Sequence, residues 1–122
     1  MIISHTLEFA GSNLSGFVVI PEGARIERCW LMLETTLAAH AVNYLTFTVY
    51  GSDGATAVAT ANTNSGGGGI SLTGLTAVEL SLTNADKQGY SSGGYIKVEA
   101  IKGGAPANND VVFGIKLAYD RD

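Results

Sequence analysis

The sequence predicts an all-β protein: a single β-sandwich spanning residues 1–122, of jelly-roll or related Greek-key type, with about eight antiparallel strands. Three observations lead there. Charged residues make up 15% of the chain, well below the usual quarter, while hydrophobic residues make up 46%. Glycine is abundant, at 16 residues, and accompanies many Thr, Ser and Asn. Short apolar runs are broken by turn residues every ten or so positions, and none shows the 3.6-residue period of a helix.

The first expected strand is Ser4 to Phe9, ended by Gly11–Asn13. The second is Ser15 to Ile20, with FVVI as its apolar part. The Pro21-Glu22-Gly23 stretch that follows suits a type I turn, with Pro at the second position and Gly at the fourth. A long third strand is expected over Arg25 to Leu37. One parity of this run gives Cys29, Leu31, Leu33 and Leu37, and the other gives Ile26, Trp30 and Met32. A sandwich strand normally alternates apolar-in and polar-out. Two apolar faces therefore imply that the second is covered, and Trp30 and Met32 become candidates for a subunit interface.

Val42 to Tyr50 alternates cleanly, with Leu45, Phe47 and Val49 on one face. The turn sequence Gly51-Ser52-Asp53-Gly54 separates it from a weaker strand of small residues, Thr56 to Ala61. Leu75 to Leu82 is the next expected strand, with Thr76, Val78, Leu80 and Leu82 on one parity. Asn84 to Gly89 reads as a loop or a single helical turn. Tyr95 to Ile101 places Ile96, Val98 and Ala100 inward. Lys102 to Asp110 reads as a long exposed loop, and Val111 to Tyr119 closes the chain with Val111, Phe113, Ile115, Leu117 and Tyr119 on one face. Periodicity does not fix the strand order.

The run Gly66-Gly67-Gly68-Gly69-Ile70-Ser71-Leu72-Thr73-Gly74-Leu75-Thr76 approaches a phosphate-loop pattern, because four residues separate Gly69 from Gly74. Leu75 stands where that chemistry needs a lysine, and a strand pattern follows where a helix N-terminus should open. The run is expected instead to be a pliable β-connection that a partner orders, since free glycines lose much backbone entropy when fixed.

Chemistry-bearing residues are few and scattered. One cysteine allows no intramolecular disulfide, and Cys29 reads as a buried small hydrophobe. His5 and His40 have no zinc spacing. Asp53, Asn108, Asn109 and Asp110 could donate oxygens to calcium, but turn chemistry accounts better for them. Glu8, Glu34, Glu79 and Glu99 are expected to point to solvent rather than form a hydrolytic pair. Trp30, Tyr44, Tyr90 and Tyr95 are candidates for a sugar platform. No catalytic residue, metal ligand or cofactor is assigned.

A net charge of −4 with seven dispersed Lys and Arg argues against a nucleic-acid partner. No run approaches the ~20 apolar residues of a membrane helix, so no membrane partner is expected. The opening MIISHTLEFAGSN lacks the basic n-region and the long apolar stretch of an export signal.

The layout from Ser15 to Leu37, SGFVVIPEGARIERCWLMLETTL, together with FTVYGSDGA and the late YIKVEAIKGGAPANNDVVFGIKLAYD, resembles the small jelly-roll-like virion proteins of tailed bacteriophages. The likeness is to head decoration, or cement, proteins, and it extends over most of the chain. It implies a non-enzymatic structural protein, assembled in the host cytoplasm, that sits on the outer phage head at junctions between major capsid subunits. It also implies a homotrimer with the major capsid protein as partner. Met1, Ile2 and Ile3 and the glycines Gly66, Gly67, Gly68 and Gly69 are the candidate capsid contacts. A tail- or fibre-associated phage domain and a carbohydrate-binding module are the alternatives.

Overall fold

A computed structural model describes residues 2–119. The described residues form nine strands: β1 (Ile2–Phe9), β2 (Leu14–Ile20), β3 (Ala24–Leu33), β4 (Tyr44–Tyr50), β5 (Ala57–Asn62), β6 (Val78–Leu80), β7 (Gly89–Tyr90), β8 (Gly94–Gly103) and β9 (Asn109–Tyr119). Two single 3-10 turns, Ser65–Gly67 and Ala85–Lys87, are the helical elements among the described residues. The second falls where a loop or helical turn is expected.

The pairings are nested. β4 pairs with β5, β3 with β6, β2 with β8 and β1 with β9, all antiparallel. This is one long double ribbon. Rolling it up adds the contacts β3–β9 and β4–β8, which give two sheets ordered β1-β9-β3-β6 and β2-β8-β4-β5. That order is a jelly roll. The two-residue β7 is an addition beside the start of β3.

The core lies between the sheets. Leu45, Phe47 and Val49 of β4, Ile96, Val98 and Ala100 of β8, and Val111, Phe113, Ile115 and Leu117 of β9 are buried, as their alternation predicts. Tyr119 belongs to the same parity but is exposed at the strand end.

Four local expectations are corrected. First, β3 contains a bulge between Ile26 and Arg28, which inserts Glu27 as an extra outward residue. The insertion re-phases the strand, so Ile26 is fully buried with Cys29, Leu31 and Leu33 and does not share the Trp30 face. Second, β3 stops at Leu33 rather than Leu37. The Asn109 side chain accepts from the Thr35 amide and hydroxyl (3.1 and 3.2 Å) and donates to the Thr35 carbonyl (2.9 Å), turning the chain, and Leu37 reaches the core through a separate bridge to Leu72. Third, only Val78–Leu80 of the expected 75–82 strand pairs, because Leu75 takes φ +57° and its amide donates to the Leu33 carbonyl. Fourth, β8 runs on to Gly103 and β9 begins at Asn109, so the expected long loop shrinks to residues 104–108.

Tyr90 on β7 is buried, and its hydroxyl has no hydrogen-bond partner among the described residues. Burial, reinforced by Asp53, pushes its phenol above its usual range. An unpaired buried hydroxyl costs about 1–3 kcal/mol. Tyr90→Phe is therefore expected to stabilise the fold by about 1 kcal/mol, read as a higher urea midpoint; a lower midpoint would contradict it.

Candidate interaction surfaces

The glycine run is a built turn. Asn62 and Asn64 organise it: Oδ1 of Asn62 accepts from the Asn64 amide and Oδ1 of Asn64 from the Gly66 amide, both at 3.0 Å. The Gly67 and Gly69 amides donate to the Asn64 carbonyl at 3.0 and 2.7 Å. Gly68 takes φ +79°, and Gly69 lies so close to Asn62 and Asn64 that a Cβ there would fall 2.5 Å from the Asn64 backbone nitrogen. The connection is thus ordered from within the chain, by asparagine side chains preceding the glycines.

Trp30 and Met32 are half-buried on the outer face of the first sheet. Trp30 lies beside its cross-strand partner Gly114 and under the Arg28 guanidinium, 5.1 Å from the ring centre. Arg28 in turn pairs with Glu79 through two hydrogen bonds. This intrachain shield covers part of the face and leaves the rest open. Ile2 and Ile3 lie on β1, an edge strand, with Ile2 exposed and Ile3 packed partly against the core. Met1 lies outside the described residues.

The outer face of the second sheet carries a group that sequence reasoning did not single out. Phe17 and Val19 of β2 are 56% and 84% exposed, and Tyr95 of β8 is 47% exposed. Phe17 and Tyr95 meet edge-to-face, with ring centroids 5.4 Å apart. Tyr50 of β4 lies further along the same face, with the Lys97 ammonium 5.2 Å from its ring centre and its hydroxyl donating to Glu99 at 2.7 Å. The signal for Phe17 and Val19 was present: FVVI is apolar on both parities, so one set must face outward. Of the sugar-platform candidates, Tyr44 and Tyr95 are on this face but at opposite ends of β8, since Tyr44 pairs with Gly103; Trp30 is on the other sheet, and Tyr90 is in the core.

The groups with catalytic or metal-binding potential are engaged locally. Cys29 is buried, and desolvation pushes its thiol up to about 12, so it stays protonated. Glu79 is tied to Arg28, and Glu99 to Tyr50. Glu34 stands beside Asp110, whose hydrogen bond and charge hold the Glu34 carboxyl above its usual range, and Glu8 is the register partner of Asp110. Asn109 is a turn-forming core residue. His40 accepts the Val42 and Asn43 amides on Nδ1, at 3.0 and 2.9 Å. No group of three or more His, Cys, Asp or Glu among the described residues is arranged to hold a metal ion.

Asp53 shows the same local use. Its carboxylate accepts from the Thr56 hydroxyl and from the Thr56 and Ala55 amides, which together lower its pKa to about 2. An unfolded aspartate titrates near 3.9. The folded value is depressed, so this contribution is complete above about pH 4 and is lost as pH falls from about 4 towards 2. Acid-unfolding curves of Asp53→Asn are expected to be flatter than wild type across that window. Parallel curves would contradict the assignment.

A groove of about 420 Å³ opens where β5 and β6, the edges of the two sheets, part from one another. Thr60, Asn62, Ser81 and Thr83 line it together with Ile70 and Val78. No protein-family model, curated protein or solved structure matches the chain.

Proposed function

We propose that the chain is a non-enzymatic virion structural protein: a decoration protein that binds the outer surface of a tailed-phage head at junctions between major capsid subunits and strengthens the shell. The observation that supports this reading is a compact jelly roll that leaves apolar side chains on the outer faces of both sheets, Trp30 and Met32 on one and Phe17, Val19 and Tyr95 on the other. Apolar outer faces of this kind mark contact with other proteins.

In this reading Trp30 and Met32 serve subunit contact in a homotrimer, and Ile2, Ile3 and the Gly66–Gly69 turn serve capsid contact. Closed symmetry then supplies avidity, since several weak contacts on one rigid assembly hold a repeating lattice far better than one does. The protein would assemble in the host cytoplasm and remain on the head surface. Co-sedimentation of the purified protein with undecorated capsids tests the reading, and its absence at saturating protein would overturn it. The neighbouring positions of Tyr50 and Tyr95 on one sheet face favour one second reading, a carbohydrate-binding module. Glycan-array binding lost in Tyr95→Ala would establish that instead.

A further inference from the structure

The four sheet edges are treated differently. β6 is only three residues long. The free edge of β5 is occupied, because the amides of Ile70 and Thr83 donate to the Asn62 and Val58 carbonyls and the Asn84 side chain donates to Ala57. β1 presents Ile2, Ser4, Thr6 and Glu8 outward, so its apolar side chain is confined to the strand's end, and Glu8 lies against Asp110 in register, with Glu34 next to it. β2 has none of these protections. Its seven residues contain no charge and no proline, and its pairing with β8 runs without a bulge from Leu14 to Ile20. Its outward residues are Ser15, Phe17 and Val19. A long, uncharged, apolar edge is a template for another strand, and soluble proteins normally block it.

We infer that the free edge of β2 is a two-fold interface with a second copy of this chain, the two β2 strands pairing antiparallel about Val18. The occupant follows from the strand's complementarity to itself. Pairing about Val18 sets Phe17 opposite Val19 of the other copy, twice, and an aromatic facing a β-branched residue is a favourable cross-strand pair. Pairing about Phe17 instead would set Phe17 opposite its own copy but leave both Val19 side chains facing Ser15. Tyr95, the register partner of Val19, extends the apolar row on each side. The strand brings no like charges together across the axis. The result is one continuous eight-stranded sheet, ordered β5-β4-β8-β2 and then its mirror order in the second copy. The contact is separate from Trp30 and Met32, which lie on the other sheet, and it does not rest on the capsid reading.

Light scattering after size exclusion of the purified protein, without capsids, tests it. An assembly with an even number of copies is expected, and Val19→Lys, at a position where the side chain is 84% exposed, is expected to halve its mass. Val42→Lys, exposed elsewhere, leaves the mass unchanged. Val18→Cys is expected to cross-link two copies under mild oxidation, since residues facing each other across an antiparallel pair lie within disulfide reach. Ser15→Cys does not cross-link. A wild-type monomer, a mass unmoved by Val19→Lys, or a Val18→Cys variant that stays uncrosslinked would each overturn the inference. So would a monomer whose Val19→Lys variant loses only its binding to another protein.

Discussion

Phe113→Ala is expected to cost about 3–5 kcal/mol, a large part of the total stability of about 5–15 kcal/mol typical of a domain this size. Phe113 is fully buried at the centre of β9, the strand that holds the first sheet together between β1 and β3, with His5 and Leu31 as its register partners. Truncation removes the ring's transfer energy and leaves a cavity that a two-sheet core closes poorly, because both sheets are fixed by their ladders. The urea midpoint should fall steeply with little change in slope. A loss under about 1 kcal/mol would mean that the sheets collapse onto the vacancy.

The second large effect is graded within four adjacent glycines. Gly69→Ala is expected to cost about 1–3 kcal/mol, because the new methyl meets backbone nitrogen and oxygen at 2.5 and 2.7 Å that cannot move without breaking the turn. At Gly66 the nearest atom to an added Cβ is the Asn64 side-chain oxygen at 3.4 Å, so Gly66→Ala should stay within about 0.5 kcal/mol of wild type. Equal tolerance at both positions, measured by urea unfolding, would show that the run is a pliable linker after all.

The contrast between those glycines shows where sequence reasoning stops. Alternation made β4, β8 and β9 legible, down to the burial of Phe47, Val98 and Phe113, because each strand keeps a single phase. β3 was not legible in the same way. One inserted residue, Glu27, reverses the phase, and no local pattern marks a bulge that only the partner strand defines. Leu75 to Leu82 alternates convincingly, yet the backbone of Gly74 packs against residues 34–36 and Leu75 turns away, a tertiary constraint that pattern does not carry.

The candidate surfaces divide along the same line. Trp30 and Met32 were visible as an unexplained second apolar face. Phe17 and Val19 read in the sequence only as part of a strand, because their importance depends on β2 lying at an edge. Edge position is a property of topology, and the nested order of the ribbon had to be known first.

That nesting also sets a sequence of events in time. The β4–β5 hairpin joins neighbours across a short turn, and once closed it brings β3 and β6 closer together than their separation along the chain implies. Each pair shortens the search for the next, ending with β1 against β9, whose ends lie a whole domain apart in sequence. Loop-closure entropy thus favours zipping from the fold of the ribbon outward. The last pairs to close, β2–β8 and β1–β9, include both strands whose outer edges face solvent on that side, so a partially zipped chain exposes them longest.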